Sequence, residues 1–192
     1  MRFAYADPPY PGQAKRWYGD HPDYAGEVDH SELIARLERD YPDGWALSTS
    51  ATALRWVLTL CPDQVELGVW HVTNASHGGS HARIWRSWEP VIYRGGRPAP
   101  MVKNVVTASA PAFGRGEIAG QKPPGFCRWV FRLLGAGPGD ELDDLFPGSG
   151  AVGREWDAYH SQPVMSEPLT SGWARDRRFI ARAVARDCEP LL

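Results

Sequence analysis

Two short segments of the sequence combine acids, aromatic rings and backbone breakers in a way that suits chemistry on a flat, polar ligand. The first is DPPY, which comprises Asp7, Pro8, Pro9 and Tyr10 and directly follows the strand-like run RFAYA. Prolines rigidify a turn and remove backbone donors, so the carbonyl of Pro8 is left free to accept a hydrogen bond. Asp7 and that carbonyl can accept hydrogen bonds from both N–H groups of an exocyclic amino group on a flat base, and the ring of Tyr10 can stack on that base.

The second segment is DLFPGSG, residues 144–150, in which an acid and an aromatic residue end a strand and glycines open a helix. Gly148 and Gly150 let the backbone turn sharply and approach a ligand, and the helix N-terminus offers free N–H groups to an anion. It is not a phosphate-binding P-loop, because no Gly-Lys-Ser/Thr follows. Either segment alone is more typical of an ordinary turn. Their pairing favours a ligand site.

The elements that must position these segments alternate between strand-like and helix-like patterns. Strands are predicted over 2–6, 44–50, 65–72, 89–96 and 140–146, and helices over 29–41, 51–61, 123–136 and 150–162. Asp29 or Ser31 is available to cap the first helix. Such alternation predicts an α/β fold with a single, mostly parallel sheet and helices on both faces. Ligands bind outside the carboxyl ends of such strands. The Pro- and Gly-rich stretch from about 97 to the helix at 123 is predicted to be a connection.

Composition narrows the class of protein. The 192 residues suit one globular core, and no run approaches a membrane span or a signal peptide, so we expect a cytoplasmic protein without membrane contact. The three cysteines are far apart and form no C-x-x-C pattern, which argues against a disulfide framework and a metal site. A net charge of -2 gives no general attraction to nucleic acid, so such contacts must come from local patches.

Beyond these patterns, the sequence resembles a known family. DPPY at 7–10 resembles the catalytic motif of amino-methyltransferases that act on adenine N6 or cytosine N4. DLFPGSG resembles their S-adenosylmethionine (SAM) motif, D-x-F-x-G-S-G, and residues 121–141 resemble the Lys-Pro segment and helix upstream of it. Because the catalytic motif comes first, the order is similar to that of the circularly permuted β-class of DNA methyltransferases. In compactness the chain is similar to small phage and actinobacterial adenine methylases.

The resemblance implies a Rossmann-like, permuted SAM-dependent methyltransferase domain over 1–162, followed by a basic C-terminal segment, 163–192. It assigns catalysis to Asp7, Pro8, Pro9 and Tyr10. It assigns cofactor binding to Lys122, Pro123, Asp144, Leu145, Phe146, Gly148, Ser149 and Gly150. Asp7 and the Pro8 carbonyl would direct the lone pair of the amine at the sulfonium methyl group. The base would be flipped out of duplex DNA or presented in a single strand.

A short region over about 73–118 is expected to recognise the target. Lys15, Arg16, Arg83 and Arg86 are predicted to contact nucleic acid. Adenine is preferred over cytosine because the aromatic-ended DPPY occurs with adenine enzymes, whereas a serine commonly precedes the motif in cytosine enzymes and Ala6 precedes it here. The sequence leaves open whether the chain forms a homodimer.

Two alternatives remain open at this stage. The small recognition region and the lack of positive charge are compatible with the same chemistry on RNA, a nucleoside or a small amine. The segment after the glycines shows no clear strand ending in an acid, which the family uses to bind the cofactor ribose, so that contact is unassigned. This absence is compatible with a non-catalytic, nucleic-acid-binding subunit of a heterodimeric methyltransferase.

Overall fold

The computed structural model describes residues 1–15, 19, 26–75, 84–98, 101–112 and 121–161. Its elements in chain order are β1 (Arg2–Ala6), α1 (His30–Asp40), β2 (Gly44–Ser48), α2 (Leu54–Leu58), β3 (Glu66–Val72), β4 (Trp88–Gly95), β5 (Val105–Ala108), α3 (Pro124–Leu133), β6 (Glu141–Asp144) and α4 (Ala151–Ser161). Every predicted strand and helix is present, most with trimmed ends. Residues Met1–Ser161 form one compact unit. Within the described ranges, no helix is long and apolar enough to cross a membrane.

The strands form one six-stranded sheet in the order β5-β3-β4-β2-β1-β6. β1 runs parallel to both β2 and β6, and β3 runs parallel to β5. β4 is antiparallel to its two neighbours, β2 and β3. The prediction of a mostly parallel sheet is therefore confirmed. β6 forms one edge of this sheet, and in the part of the chain that the structure describes no strand lies beyond it.

The edge strand β5 lies inside the stretch that the sequence predicts to be a connection, so that prediction is wrong for residues 105–108. Its run VVTA is short and its residues are exposed or half-buried, so it lacks the buried alternation that marks the other strands. Pairing with β3, which begins at Val69↔Val105, holds these residues in a strand that their local sequence does not predict. Trp129 holds the segment that leads into β5, because its indole N–H donates to the Lys103 carbonyl at 2.8 Å.

Apolar residues cover both faces of the sheet, which confirms the prediction of helices on both sides. Phe3 and Tyr5 of β1 pack with α3 and α4 on one face, whereas Ala4 and Ala6 pack with α1 and α2 on the other. This alternation is the period of two that a strand imposes. Asp29 caps α1, since its Oδ1 accepts hydrogen bonds from the backbone N–H groups of residues 31 and 32.

The register of the sheet brings the two motif segments together. Ala6 pairs with Leu47 across β1 and β2, and Tyr5 pairs with Asp144 across β1 and β6. Because these strands are parallel, their carboxyl ends meet at one edge of the sheet, and the segments that follow them start side by side. By the same alternation, Asp7 falls on the face of the sheet that carries α3.

Candidate active site

A buried ion pair lies at the carboxyl end of β1. Lys122 Nζ is 2.8 Å from Asp7 Oδ2, and the lysine side chain is only 5% exposed. Its ammonium lies over the rings of Trp70 and Phe126, at 5.6 and 5.8 Å from their centres. Lys122 immediately precedes Pro123, the extended N-cap residue of α3, so the start of the helix carries the lysine to the sheet edge. The resemblance assigns Lys122 to cofactor binding, but its ion-pair partners are Asp7, in the motif predicted to bind an amine, and Glu89.

Glu89 joins this pair to the aromatic residue of the motif. The hydroxyl of Tyr10 donates to Glu89 Oε2 at 2.7 Å, and the same oxygen is 3.6 Å from Lys122 Nζ. Asp7, Tyr10, Glu89 and Lys122 therefore form one continuous network, which we call the DPPY cluster. Beneath it, the hydroxyls of Tyr5 and Ser48 bond to each other at 2.8 Å in the core.

The electrostatics of the DPPY cluster combine one cation with two carboxylates. Burial alone would lower the pKa of Lys122, but Asp7 and Glu89 outweigh it and raise that pKa, so the ammonium stays charged. Burial raises the pKa of Asp7, and Glu89 adds to the rise while Lys122 opposes it. Burial also raises the pKa of Tyr10, so its hydroxyl stays protonated and donates to Glu89. The cluster can therefore accept hydrogen bonds from a neutral or cationic donor.

Two acceptor atoms of the motif remain for a ligand. Lys122 binds Oδ2 of Asp7, and no described group bonds to Oδ1. Among the residues given in the structure, none donates to the Pro8 carbonyl either. Pro9 follows with no N–H of its own. The pair of acceptors predicted from DPPY is therefore free in the described part of the chain.

Hydrogen bonds to the Tyr10 carbonyl and to Glu27 hold the loop that follows the motif. The N–H of Gln13 donates to the Tyr10 carbonyl at 2.8 Å, and Glu27 accepts from the N–H groups of Gly12 and Ala14. Lys15 follows this turn and is exposed.

The other residues predicted to contact nucleic acid are described only in part. Arg86 is exposed just before β4, in a stretch that also exposes Trp85 and Trp88. Arg16 and Arg83 lie outside the described residues.

The carboxyl end of β6 carries a second acid with a different environment. Asp144 Oδ1 accepts from the N–H of Phe146 at 3.3 Å, whereas its Oδ2 is buried without a hydrogen-bond partner in the described structure. Burial raises the pKa of Asp144 to about 6, and the nearby charge of Asp7 adds to the rise. The N–H of Leu145 donates to the Tyr5 carbonyl at 2.9 Å, which continues the contact between the two strands.

Residues 145–150, the glycine loop, then turn into α4. Gly148 and Gly150 have φ angles of +47° and +71°, in the left-handed region that favours glycine. A Cβ built on Gly148 has the Phe146 carbonyl, at 3.9 Å, as its nearest neighbour, so the space above the loop is open. The carbonyl of Ser149 accepts from Arg154 at 2.8 Å. The loop is thus a backbone turn with room beside it for a ligand.

Sequence reasoning missed Glu89, although the residue lies at the start of a predicted strand. An acid that opens the apolar run EPVIY was a weak signal, because nothing local says which partners it faces. Glu155, an acid that follows the glycine segment, is paired with Arg128 at 3.0 Å, and the contact to a cofactor ribose stays unassigned. The described residues also hold no group of three or more His, Cys, Asp or Glu side chains placed to bind a metal ion.

Comparison with solved structures finds this fold in M1.HpyAVI. The crystal structure of the M1.HpyAVI-SAM complex has a TM-score of 0.57 and 14% identity, covering 83% of this chain and 78% of that one. A second crystal structure of M1.HpyAVI has a TM-score of 0.54 and 14% identity, covering 82% and 76%. No protein-family model and no curated protein sequence matches the chain. The chain therefore shares the α/β fold of M1.HpyAVI, and at 14% identity the likeness concerns the fold alone.

Proposed function

We propose that the protein transfers a methyl group from SAM to an exocyclic amino group, namely adenine N6 in DNA. The observation that carries this proposal is the meeting of the DPPY cluster and Asp144 at one edge of the sheet, where Tyr5 pairs with Asp144. One motif offers acceptors for an amine, and the other offers an open turn and an unpartnered carboxylate oxygen.

The acceptor half would prepare a poor nucleophile for displacement. The lone pair of an adenine amine is delocalised into the ring, and hydrogen bonds from both N–H groups favour a pyramidal nitrogen. Asp7 Oδ1 and the Pro8 carbonyl are the acceptors for those bonds, while Tyr10 offers its ring to the base. The amine would lose its proton to water after the transfer, so Asp7 need not act as a full base. Positioning and electrostatics carry the rate, without a covalent enzyme intermediate.

The cofactor half fits SAM at the end of β6. No group in the described part of the chain donates to the buried Oδ2 of Asp144, and SAM carries an ammonium and hydroxyl groups that can supply a donor. Residues 145–150 would hold the cofactor through their backbone, which turns at Gly148 and Gly150 and has open space beside Gly148. When bound, SAM supplies the activated methyl group. Lys122 and Pro123 stay predictions for this half of the site, and the ribose contact is unassigned.

The assignment of DNA, and of adenine within it, rests on the motif. The aromatic end of DPPY and the alanine before it favour adenine. Lys15 and Arg86 are exposed and could contact phosphates, and the recognition region would lie within about 73–118. The methyltransferase domain would extend over 1–162, with 163–192 as a basic C-terminal segment.

A small-molecule acceptor is the second candidate, favoured by the net charge of -2. The non-catalytic alternative is disfavoured, because the DPPY cluster is complete and two acceptor atoms of the motif, Asp7 Oδ1 and the Pro8 carbonyl, have no partner in the described structure.

Transfer from isotopically labelled SAM tests the proposal. Duplex DNA, single-stranded DNA, RNA and nucleosides would be incubated in parallel and digested for mass spectrometry. We expect labelled N6-methyladenine from DNA. Label in the nucleoside pool alone would indicate the small-molecule function. SAM binding without transfer to any pool would contradict nucleic-acid methylation, and the absence of SAM binding would contradict the enzyme assignment.

A further inference from the structure

Glu89 has no role in the motifs, yet it contacts two members of the DPPY cluster. We propose that Glu89 is a positioning residue of the acceptor site, which anchors the Tyr10 ring and holds Lys122 between two carboxylates. The proposal rests on the function proposed above. It follows from one oxygen, Oε2, which accepts from the Tyr10 hydroxyl at 2.7 Å and lies 3.6 Å from Lys122 Nζ.

The sheet explains how Glu89 comes to lie there. β4 is antiparallel to β2, so its amino end lies at the edge where β1 and β2 end, and Val91 pairs with Ser48. The N–H of Thr49 donates to the Pro90 carbonyl at 3.2 Å, which holds this end of β4 in place. Alternation puts Glu89 on the same face as the buried Val91, towards α3 and Lys122.

The bond to Glu89 determines where the Tyr10 ring lies. Tyr10 lies in a loop after two prolines, where no pairing with a neighbouring strand fixes its position. Its hydroxyl is held strongly, because it donates to a carboxylate at 2.7 Å. A ring held in place before the base arrives does not have to be ordered during binding. Loss of this bond should therefore weaken productive binding of the acceptor and leave SAM binding unchanged.

The charge of Glu89 acts on Asp7 as well as on Lys122. The groups that face the Glu89 carboxylate are Tyr5 from β1, Asp7 and Tyr10 from the segment after β1, and Lys122 from the segment before α3. Asp7 also faces Asp144 at the end of β6. Glu89 competes for the ammonium and raises the pKa of Asp7. Its removal should give Lys122 wholly to Asp7 and lower that pKa. The acid limb of the kcat/KM profile, where Asp7 becomes protonated, should then move to lower pH.

Two variants separate the contributions of Glu89. Glu89→Gln keeps an oxygen that accepts from Tyr10 but removes the charge beside Lys122, whereas Tyr10→Phe removes the hydroxyl and keeps every charge. The chain offers a matched control, since Tyr93 donates to Glu66 Oε2 at 2.8 Å in an exposed pair on β4 and β3. Glu66→Gln and Tyr93→Phe make the same chemical changes away from the site.

The experiment follows the Asp7 carboxyl by ¹³C NMR, assigned by its loss in Asp7→Asn, together with SAM affinity and the pH profile of transfer to DNA. In E89Q we expect a lower titration midpoint for Asp7 and an equal shift of the acid limb. We expect neither change in E66Q. In Y10F we expect about a tenfold loss of kcat/KM for DNA with unchanged SAM affinity, and no loss in Y93F.

The outcomes distinguish this proposal from the one on which it rests. An unchanged Asp7 midpoint in a folded E89Q variant would overturn the role of Glu89, whatever the activity. A shifted midpoint in a protein that methylates nothing would support the arrangement of Glu89 and overturn the proposed function. Should E89Q not fold, transfer by Y10F at the wild-type rate would overturn the anchoring of Tyr10.

Discussion

The carboxyl ends of β1 and β6 lie side by side, and each carries an aspartate in a very different state. Asp7 is paired with Lys122 at 2.8 Å, whereas one carboxylate oxygen of Asp144 is buried without a partner in the described structure. A buried carboxylate needs a donor or a cation, and the segment before α3 brings one only to the first of them. The half of the site that is proposed to bind the acceptor is therefore organised by the chain itself. The half that is proposed to bind the cofactor leaves room for a donor that a ligand can supply.

The removal of Asp7 should have the largest effect on methyl transfer. Asp7→Ala should reduce methyl transfer by about 1,000-fold or more, because it removes an acceptor that acts on the reacting amine. SAM affinity should stay close to that of the wild type, since the cofactor is assigned to the other half. Single-turnover transfer and equilibrium SAM binding measure the two effects. Asp143→Ala is the control, because Asp143 bonds to Arg2 and Tyr41. Near-normal turnover in Asp7→Ala would remove it from the mechanism.

The opposite pattern is expected when the glycine loop is changed. Gly148→Val places a β-branched residue at a φ of +47° and fills the open space beside the loop, so SAM affinity should fall by about 10- to 100-fold. Gly153→Val is the control, since Gly153 lies on α4 without a positive φ, and a Cβ at that position would meet nothing within 4 Å. Calorimetric titration with SAM gives both constants. Equal affinities for the two variants would locate the cofactor elsewhere.

The pH dependence of SAM binding tests the unpartnered oxygen of Asp144. The pKa of this carboxyl is raised to about 6 in the free protein, and a donor on SAM stabilises its ionised form and lowers that pKa. Affinity should therefore be constant above about pH 7 and weaken as the pH falls through 6, by up to about tenfold at pH 5. Asp144→Asn should bind SAM more weakly at neutral pH and lose this dependence. A wild-type profile that is flat from pH 5 to 8 would contradict the contact.

The smallest effect is expected at the periphery of the acceptor half. Arg86→Ala removes one exposed cation before β4, so DNA affinity should fall by about threefold at low salt and the salt slope should decrease by about 1. Arg132→Ala, near the end of α3 that leads back to the start of β6, removes the same charge far from the site. Fluorescence anisotropy over a salt series compares them. Identical losses would indicate a general charge effect rather than a contact by Arg86.

Much of the fold could be predicted because its signals are local. Pro8 ends β1, Asp29 caps α1, and the apolar stripe of α3 shows its buried face without knowledge of the rest of the chain. β5 could not be predicted in this way, because its four residues gain their order from β3, which lies far away in the sequence. The same distinction applies to the site. DPPY and the glycine loop were visible as motifs, but Glu89 acquires its partners only through the antiparallel placement of β4.

The sequence by itself determined the type and order of every element except β5, the two motif segments at strand ends, and the residues Asp7, Tyr10 and Asp144 within them. These features depend on local conformational preferences and on the period of apolar residues, and both are properties of the sequence itself. Only the tertiary structure decided that Lys122 pairs with Asp7, that Glu89 holds Tyr10, and that one oxygen of Asp144 has no partner among the described residues. Those contacts join residues from about 80 to 115 positions apart or depend on what burial excludes. These contacts stabilise the protein only once the sheet has formed, because desolvation and charge pairing depend on distance in space.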